Sequence, residues 1–514
     1  MNDSGNRVAT LVLLVALIVI WEIAGRLQLV AGGTLPAPSA ILARIFVDRA
    51  DYWPHVLATL RTSAAGFVIG NAIAILAVIC FCLWPFSERL MRGVNIAIFA
   101  VPPIALVPVL VIALDGEVAR ITLAALLVYF PTMTATLSGL NDVDPRTTDL
   151  ISAYGGGRFR ALRMVRLRAA VPAMMSGFQV AAPAAVLGAI LAEFGSGARW
   201  GLGTYLLGSL GRAEPDRLWG IGLTATAIAG VGYGLAALVA RMTTGVNRGV
   251  TMAPEPPQAG DAESRLRSIA MTIAAIAFPF LVWQALLEIS QLSPIIAKTP
   301  LGVVDYLFFS NASAVAQQKL LAALAETIPM TIGGMFLGLA IAFVLALIAF
   351  AAPTIMNALL PFALITQTMP LVALTPLAVL IFGRGVAVTL VITVSVTFFA
   401  AFVVLAQGFA LIPRAAFDLV DAYGANTVKK LWLVAIPASR NWLFVAARLA
   451  MPKALLGVMI AEWLATGRGL GNLLNQSRGY LDYGMIWTVA LVSVLVAVAL
   501  YQLTYAIDRM TRPR

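Results

Sequence analysis

The chain has little with which to do chemistry. Its 514 residues hold one histidine, His55, and two cysteines, Cys80 and Cys82. A single imidazole cannot build a multi-histidine metal site. His55 stands beside Trp53 and reads as a solvated or interfacial loop residue. The cysteines fall in the apolar run "AVICFCLWPF", two residues apart, where they do not face each other on a helix. With no third cysteine to pair with, packing is their role. No Ser/His/Asp or Cys/His nucleophile system assembles from this set, so catalysis is not the expected function. Lysine is also scarce: Lys298, Lys319, Lys429, Lys430 and Lys453, none of which follows a glycine. The phosphate-gripping pattern G-x-x-x-x-G-K-[ST] is therefore missing. Energy must come from another chain or from an ion gradient.

Charge is short as well. Only 11% of residues are charged and 61% are hydrophobic, with a mean hydropathy of +0.92. Soluble domains carry roughly 25% charged residues. This chain cannot cover a soluble surface and belongs in a bilayer. Its net charge of +11 need not mean nucleic acid, because cytoplasmic loops of membrane proteins collect Lys and Arg.

What the sequence has is apolar runs of about 20 residues, the length that spans a membrane. They lie near 8–27, 63–83, 93–114, 119–140, 175–194 and 218–240, then 268–287, 328–351, 358–382, 386–410, 443–464 and 485–507. The expected fold is an all-α polytopic membrane protein of about twelve spans. The first run ends in "IVIWEIAGRL" without a small-residue cleavage site, so it reads as a true span. The segment 241–267, rich in Pro, Gly and charge, reads as a linker between units 1–240 and 268–514.

Six spans return the chain to its starting side, so both units share one orientation. The loops near 141–172 and 412–442 carry ten basic against five acidic side chains. The positive-inside bias places them, both termini and the linker in the cytoplasm.

The two units repeat each other. "VPPIALVPVL" from Val101 matches "MPLVALTPLA" from Met369, and "GFVIG" from Gly66 matches "GMFLG" from Gly334. "AEFGSGARWGLG" from Ala192 matches "AEWLATGRGLG" from Ala461, one residue shorter. Parallel repeats imply a pseudo-two-fold axis along the membrane normal, with the transport site at the repeat interface. The most polar repeated phrase is "DLISAYG", Asp149–Gly155, and "DLVDAYG", Asp418–Gly424. Each reads as a short helix with an acid near its start and a glycine at its end. Such a helix can plug a groove on another protein or lie on the bilayer. Two copies favour two identical partners.

This phrase resembles the EAA loop of binding-protein-dependent ABC importer permeases. An acid is followed six residues on by glycine, and thirteen beyond that by proline: Asp418, Gly424 and Pro437 in the second copy. The first copy has Asp149 and Gly155, but Arg168 at the proline position and Pro172 four residues later. Asp replaces the usual Glu, and Leu150, Ile151, Leu419 and Val420 replace alanines, so the two halves are not equivalent. "LPAPSAIL", "WPHVLATLRTSAAGF" and "VPPIALVP" look like the nitrate/sulfonate/taurine branch of that family. The resemblance covers nearly all of each half. It implies two permease units fused in one chain and a type I importer fold. It further implies coupling through Asp149, Ala153, Tyr154 and Gly155 and through Asp418, Ala422, Tyr423, Gly424 and Pro437. Two copies of a cytoplasmic ABC ATPase would supply ATP-Mg, and a periplasmic or lipid-anchored binding protein would deliver a small solute. A sulfonate, taurine or nitrate is the implied substrate class; related branches carry thiamine-precursor pyrimidines.

Pathway candidates are the span prolines Pro102, Pro103, Pro108, Pro370 and Pro376, since broken helices line cavities or pack on protein. Glu193 and Glu462, paired by the repeat, either face the pathway or cap loop amides. Glu22 beside Trp21 reads as an interfacial anchor. A gradient-driven secondary transporter is the alternative, and it requires a titratable group at mid-membrane.

Overall fold

Chains that must satisfy every backbone amide without water fold as helices, each group bonding within its own segment. In the computed structural model every regular element among the described residues is helical. Those residues are 3–30, 33–210, 212, 214–244, 265–352 and 371–511. The first half contains α1 (Asp3–Arg26), α2 (Pro38–Val47), α3 (Arg49–Leu83), α4 (Pro85–Ala100) and α5 (Pro103–Ala113). It continues with α6 (Gly116–Asn141), α7 (Pro145–Ala153), α8 (Arg158–Ser196), α9 (Leu202–Leu210) and α10 (Pro215–Thr244). The second half repeats the order. It has α11 (Arg265–Ser290), α12 (Pro300–Phe308), α13 (Ser313–Ala351), α14 (Leu371–Phe382) and α15 (Val386–Ala410). Then follow α16 (Arg414–Ala422), α17 (427–438), α18 (Arg440–Thr466), α19 (Gly469–Gly479) and α20 (Tyr483–Thr511).

Among the described residues nine helices are long and apolar enough to span, ten if one bent pair counts as a single span. That pair is α4 and α5, bent by 106°. The stretch 93–114, read as one span with prolines inside it, is broken at those prolines. Pro102 cannot continue α4 and instead caps α5, with Pro103 at its first position. Of the expected span 358–382 only α14 is described, and Pro370 lies outside the described residues. Helix reaches Thr244 and resumes at Arg265, so both ends of the expected linker are helical; the rest of it is not described.

The repeated glycines set the helix spacing. α6 packs along α3 and α8, and α15 along α13 and α18. Gly66 and Gly70 of α3 press on Ala124, Ala125 and Val128 of α6, and Gly334 and Gly338 of α13 press on Thr393 and Thr397 of α15. A Cβ at any of the four would collide, so small residues permit the approach. Between the halves, α5 packs on α20, α10 on α14, and α4 on α11. The main apolar core is shared: Ile104, Val107 and Phe194 belong to the same cluster as Leu377, Met459 and Trp463.

Candidate functional site

The repeated polar phrase forms α7 and α16 on one face of the molecule. In α7 the Asp144 carboxylate accepts the Arg146 amide at 2.9 Å, and Pro145 sits at the first helical position. Both helices end alike. Gly155 and Gly424 adopt φ of +74° and +71°, where a Cβ costs roughly 1–2 kcal/mol. The next amides, of Gly156 and Ala425, bond back to the Ile151 and Val420 carbonyls at 2.8 and 3.0 Å. That closure satisfies the helix ends. A Cβ on either glycine would meet nothing within 4 Å, so the backbone turn, not crowding, demands glycine here. Tyr154 and Tyr423 are 83% and 86% exposed, and Leu150 and Leu419 are exposed beside them. Each copy thus presents an aromatic and aliphatic knob to the outside. A π-helical turn follows each, Leu162–Arg166 and Leu431–Ala435. Pro437 lies in the short helix after the second turn.

Glu193 and Glu462 occupy matching places at the far ends of α8 and α18, both buried. Glu193 Oε2 accepts the Thr59 hydroxyl at 2.9 Å and the Gly203 amide at 3.0 Å. Thr59 Oγ1 in turn accepts the Leu202 amide at 2.9 Å. In the second half Glu462 accepts Thr327 at 2.7 Å and the Gly471 amide at 2.9 Å. Thr327 accepts the Leu470 amide at 2.9 Å. Each carboxylate therefore caps the first turn of α9 or α19, where free amides and the helix dipole favour an anion. Gly201 and Gly469, with φ of +147° and +82°, lie against these carboxylates, and a side chain there would strike them. Of the two roles open to these acids, the geometry provides the loop clamp. Thr59 and Thr327 were not singled out from sequence, although they stand at the same offset as the repeated motifs.

Between the halves the far ends of α8 and α18 border a shared cleft. Ile104, Val107, Leu191 and Phe194 close an apolar cleft against Trp463 and Leu464. Next to it, a cavity of 540 Å³ is bounded by Phe194, Leu207, Trp463, Leu464, Asn475 and Arg478. α18 runs 27 residues away from α16 and α17, about 40 Å at 1.5 Å per residue, so the cavity lies at the far end from α16. The prolines shape this region without lining it. Pro102, Pro108 and Pro376 are buried and Pro103 is half-buried, while Ile104 and Val107 beside them reach the cleft.

Some readings change. His55 is not in a solvated loop: it lies in α3, 8% exposed. Its Nδ1 sits 2.8 Å from the Gly201 carbonyl and 3.0 Å from its amide, and its ring stacks on Tyr205 at 4.5 Å. The helix begins before the apolar run and passes beneath the clamped loop, which covers the ring. Glu22 accepts the Ser39 amide at 3.0 Å and pairs with Arg26, tying α1 to α2.

The chain matches the family described as binding-protein-dependent transport system inner membrane component twice, over residues 70–245 and 338–514. It belongs to that family and holds two of its units in one chain. It is 26% identical over 204 residues to an ABC transporter permease protein of Haemophilus influenzae, a match covering 40% of this chain and 83% of that one. It is 28% identical to a formylaminopyrimidine transport permease protein of Halalkalibacterium halodurans (34% and 74% covered). It is 27% identical to a protein of Escherichia coli named as an aliphatic sulfonates transport permease (36% and 72% covered). Each of these relatives corresponds to about one half of the chain, so the duplication is a fusion of two permease units. The protein is a membrane transport subunit of the ABC permease type.

Proposed function

We propose that this chain is the complete translocation pathway of an ATP-driven importer for a small solute, an anion such as a sulfonate, taurine or nitrate in preference to a neutral heterocycle. The units 1–240 and 268–514 sit in the inner membrane with both termini and the 241–267 segment in the cytoplasm. A periplasmic or lipid-anchored binding protein delivers the solute to the cavity face. Two copies of an ABC ATPase, holding ATP-Mg, dock on the exposed knobs of α7 and α16. Their closure moves the helices behind the knobs, and the halves rock to expose the path to one side and then the other.

The observation that carries this reading is the pair of coupling helices. Two glycine-terminated helices, alike in backbone and in exposed Tyr and Leu, stand on one face, while the chain has no nucleotide-binding pattern of its own. A gradient-driven transporter would use its buried acids for ion coupling, but Glu193 and Glu462 are engaged with loop amides. The test is purification of the tagged chain in mild detergent from its own cells, followed by uptake in proteoliposomes. An ATPase at two copies per chain, with uptake that needs ATP and survives collapse of the proton gradient, is expected. A chain that comes alone and fails when the gradient is collapsed overturns the reading.

A further inference from the structure

The cavity at the far end from α16 is not symmetric. Its one charged lining residue, Arg478, comes from the second half; the repeat places Leu210 at the matching position of the first. Arg478 makes no ion pair among the described residues. A second basic residue lies deeper. Lys453 stands at the middle of α18, where its match in α8 is Ala184. Lysine within a span is costly and marks a functional path unless it is paired, and Lys453 has no ion pair among the described residues either. Its neighbours Pro452, Ala454, Leu455 and Leu456 are buried, while Lys453 keeps partial access. Eleven residues separate it from Leu464, about three helical turns, so both lie on one face of α18, roughly 16 Å apart along the axis.

The apolar cleft sits between these two basic residues along α18 and α19. The second half also fills it more heavily. From Glu462 to the left-handed Gly467 the helix takes a π-helical turn, holding one residue more than the stretch from Glu193 to Gly197. Leu464 stands where the first half has Gly195, and both line the cleft.

We propose that the second half alone carries an anion-selective path, with Arg478 drawing the solute into the outer cavity and Lys453 receiving it below the Phe194–Trp463–Leu464 constriction. One basic side chain on each side, neither ion-paired among the described residues, suits a monoanion with an apolar body that rests on Phe194 and Trp463. This deepens the importer reading and rests on it for the direction of transport.

The experiment needs neither ATPase nor binding protein, so its failure is separate from failure of that reading. In the full chain with Cys80→Ser and Cys82→Ser, cysteine is placed at Leu207, and labelling by sulfonatoethyl and trimethylammonioethyl methanethiosulfonate is timed. Arg478→Gln is expected to lower the anionic-to-cationic rate ratio about fivefold, since one charge across a water-filled cavity acts with opposite sign on the two reagents. Arg478→Lys should keep the ratio. An unchanged ratio in Arg478→Gln, or no labelling at Leu207→Cys, overturns the Arg478 assignment. Lys453→Cys should be labelled by the anionic reagent in permeabilised membranes, whereas Leu495→Cys, on the exposed side of α20, should not. Silence at Lys453→Cys overturns the inner half of the path.

Discussion

The two halves hold the same clamp in different hands. In the first half both bonds fall on one oxygen of Glu193, and Oε1 is buried without a hydrogen-bond partner among the described residues. In the second half the bonds are divided, Oε1 to Thr327 and Oε2 to Gly471. The surroundings differ as well. Where Arg44 pairs with Glu214 at 3.1 Å, the second half uses Tyr306 to Asp482 at 2.9 Å. Where Trp219 donates to the Thr34 carbonyl, Trp487 donates to Ile296, both at 3.0 Å. Duplication has kept the bonding positions and the tryptophan bond, and has exchanged the chemistry only where Tyr306 and Asp482 replace Arg44 and Glu214. The backbone path is thus the shared requirement, and the side chains are free to specialise.

The clamp yields the largest expected difference. Glu462→Gln removes an acceptor that is in use and leaves Thr327 or the Gly471 amide unsatisfied, a cost of about 1–3 kcal/mol. Glu193→Gln turns its spare oxygen into the amide nitrogen and keeps Oε2 as acceptor, so its cost should be well under half of that. Alanine at either position leaves the loop amides bare and should lower thermal stability most, by about 3 kcal/mol. Melting of the four purified variants decides this. Equal losses for the two glutamines would mean that the unequal use of the carboxylates is without consequence.

Next in size is the ion pair peculiar to the first half. Asp48, 8% exposed, accepts from Arg217 at 2.7 Å and Arg44 at 2.9 Å. The repeat places Met485 opposite Arg217, so the second half cannot form this pair. The Arg217 hydrogen bond holds the Asp48 carboxyl below the usual carboxylate range. A depressed carboxyl stabilises the fold at neutral pH, and that stability is lost as pH falls through its lowered value. Asp48→Asn should cost about 2 kcal/mol at pH 7, and the gap from the unmodified chain should narrow as the pH falls below the ordinary carboxylate range. A gap that is independent of pH would remove the ion pair from the account.

The glycines that end α7 and α16 come third. Gly155→Arg and Gly424→Arg each force an arginine into a left-handed turn on an open surface. The local strain of ~1–2 kcal/mol should leave the chain folded. Losing a similar docking free energy, about 1.4 kcal/mol, corresponds to tenfold in affinity. Uptake should fall at least that far while ATP hydrolysis by the assembled complex persists. If one variant transports normally, that half does not couple.

Much of this was legible. The spans, the repeat and the glycine-ended helices follow from hydrophobic runs and from phrases whose spacing survives. The clamps were half legible: Glu193 and Glu462 stood out as acids in apolar surroundings, but their partners Thr59 and Thr327 lie 134 and 135 residues away. No local pattern announces such a bond. His55 was misplaced because its helix starts well before the apolar run that marks the span. Lys453 and Arg478 carried a signal that the repeat makes visible, a basic residue opposite Ala184 or Leu210, and it is read by comparing the halves position by position.

The smallest effect tests whether α7 and α16 differ in mobility. The second is tied down three ways. Lys430 pairs with Asp421 at 2.7 Å, the Asn426 side chain caps the Lys429 amide at 2.9 Å, and Phe417 packs on Phe350 at 5.3 Å. The first has Ser152, Ala161, Gly157, Thr148 and Cys82 at these positions, so it lacks all three ties. An ion pair this exposed contributes only ~0.2–1 kcal/mol, too little to register in global melting. It acts on a nine-residue helix, however, whose local opening is governed by a few such contacts. Asp421→Ala should speed amide exchange across 418–425 a few-fold, and the first helix should already exchange faster than the second. Ser152→Asp with Ala161→Lys should transplant the pair and slow the first helix. If Asp421→Ala leaves exchange unchanged, Phe417 on Phe350 is the tether, and Phe417→Ala becomes the substitution that makes the two helices alike.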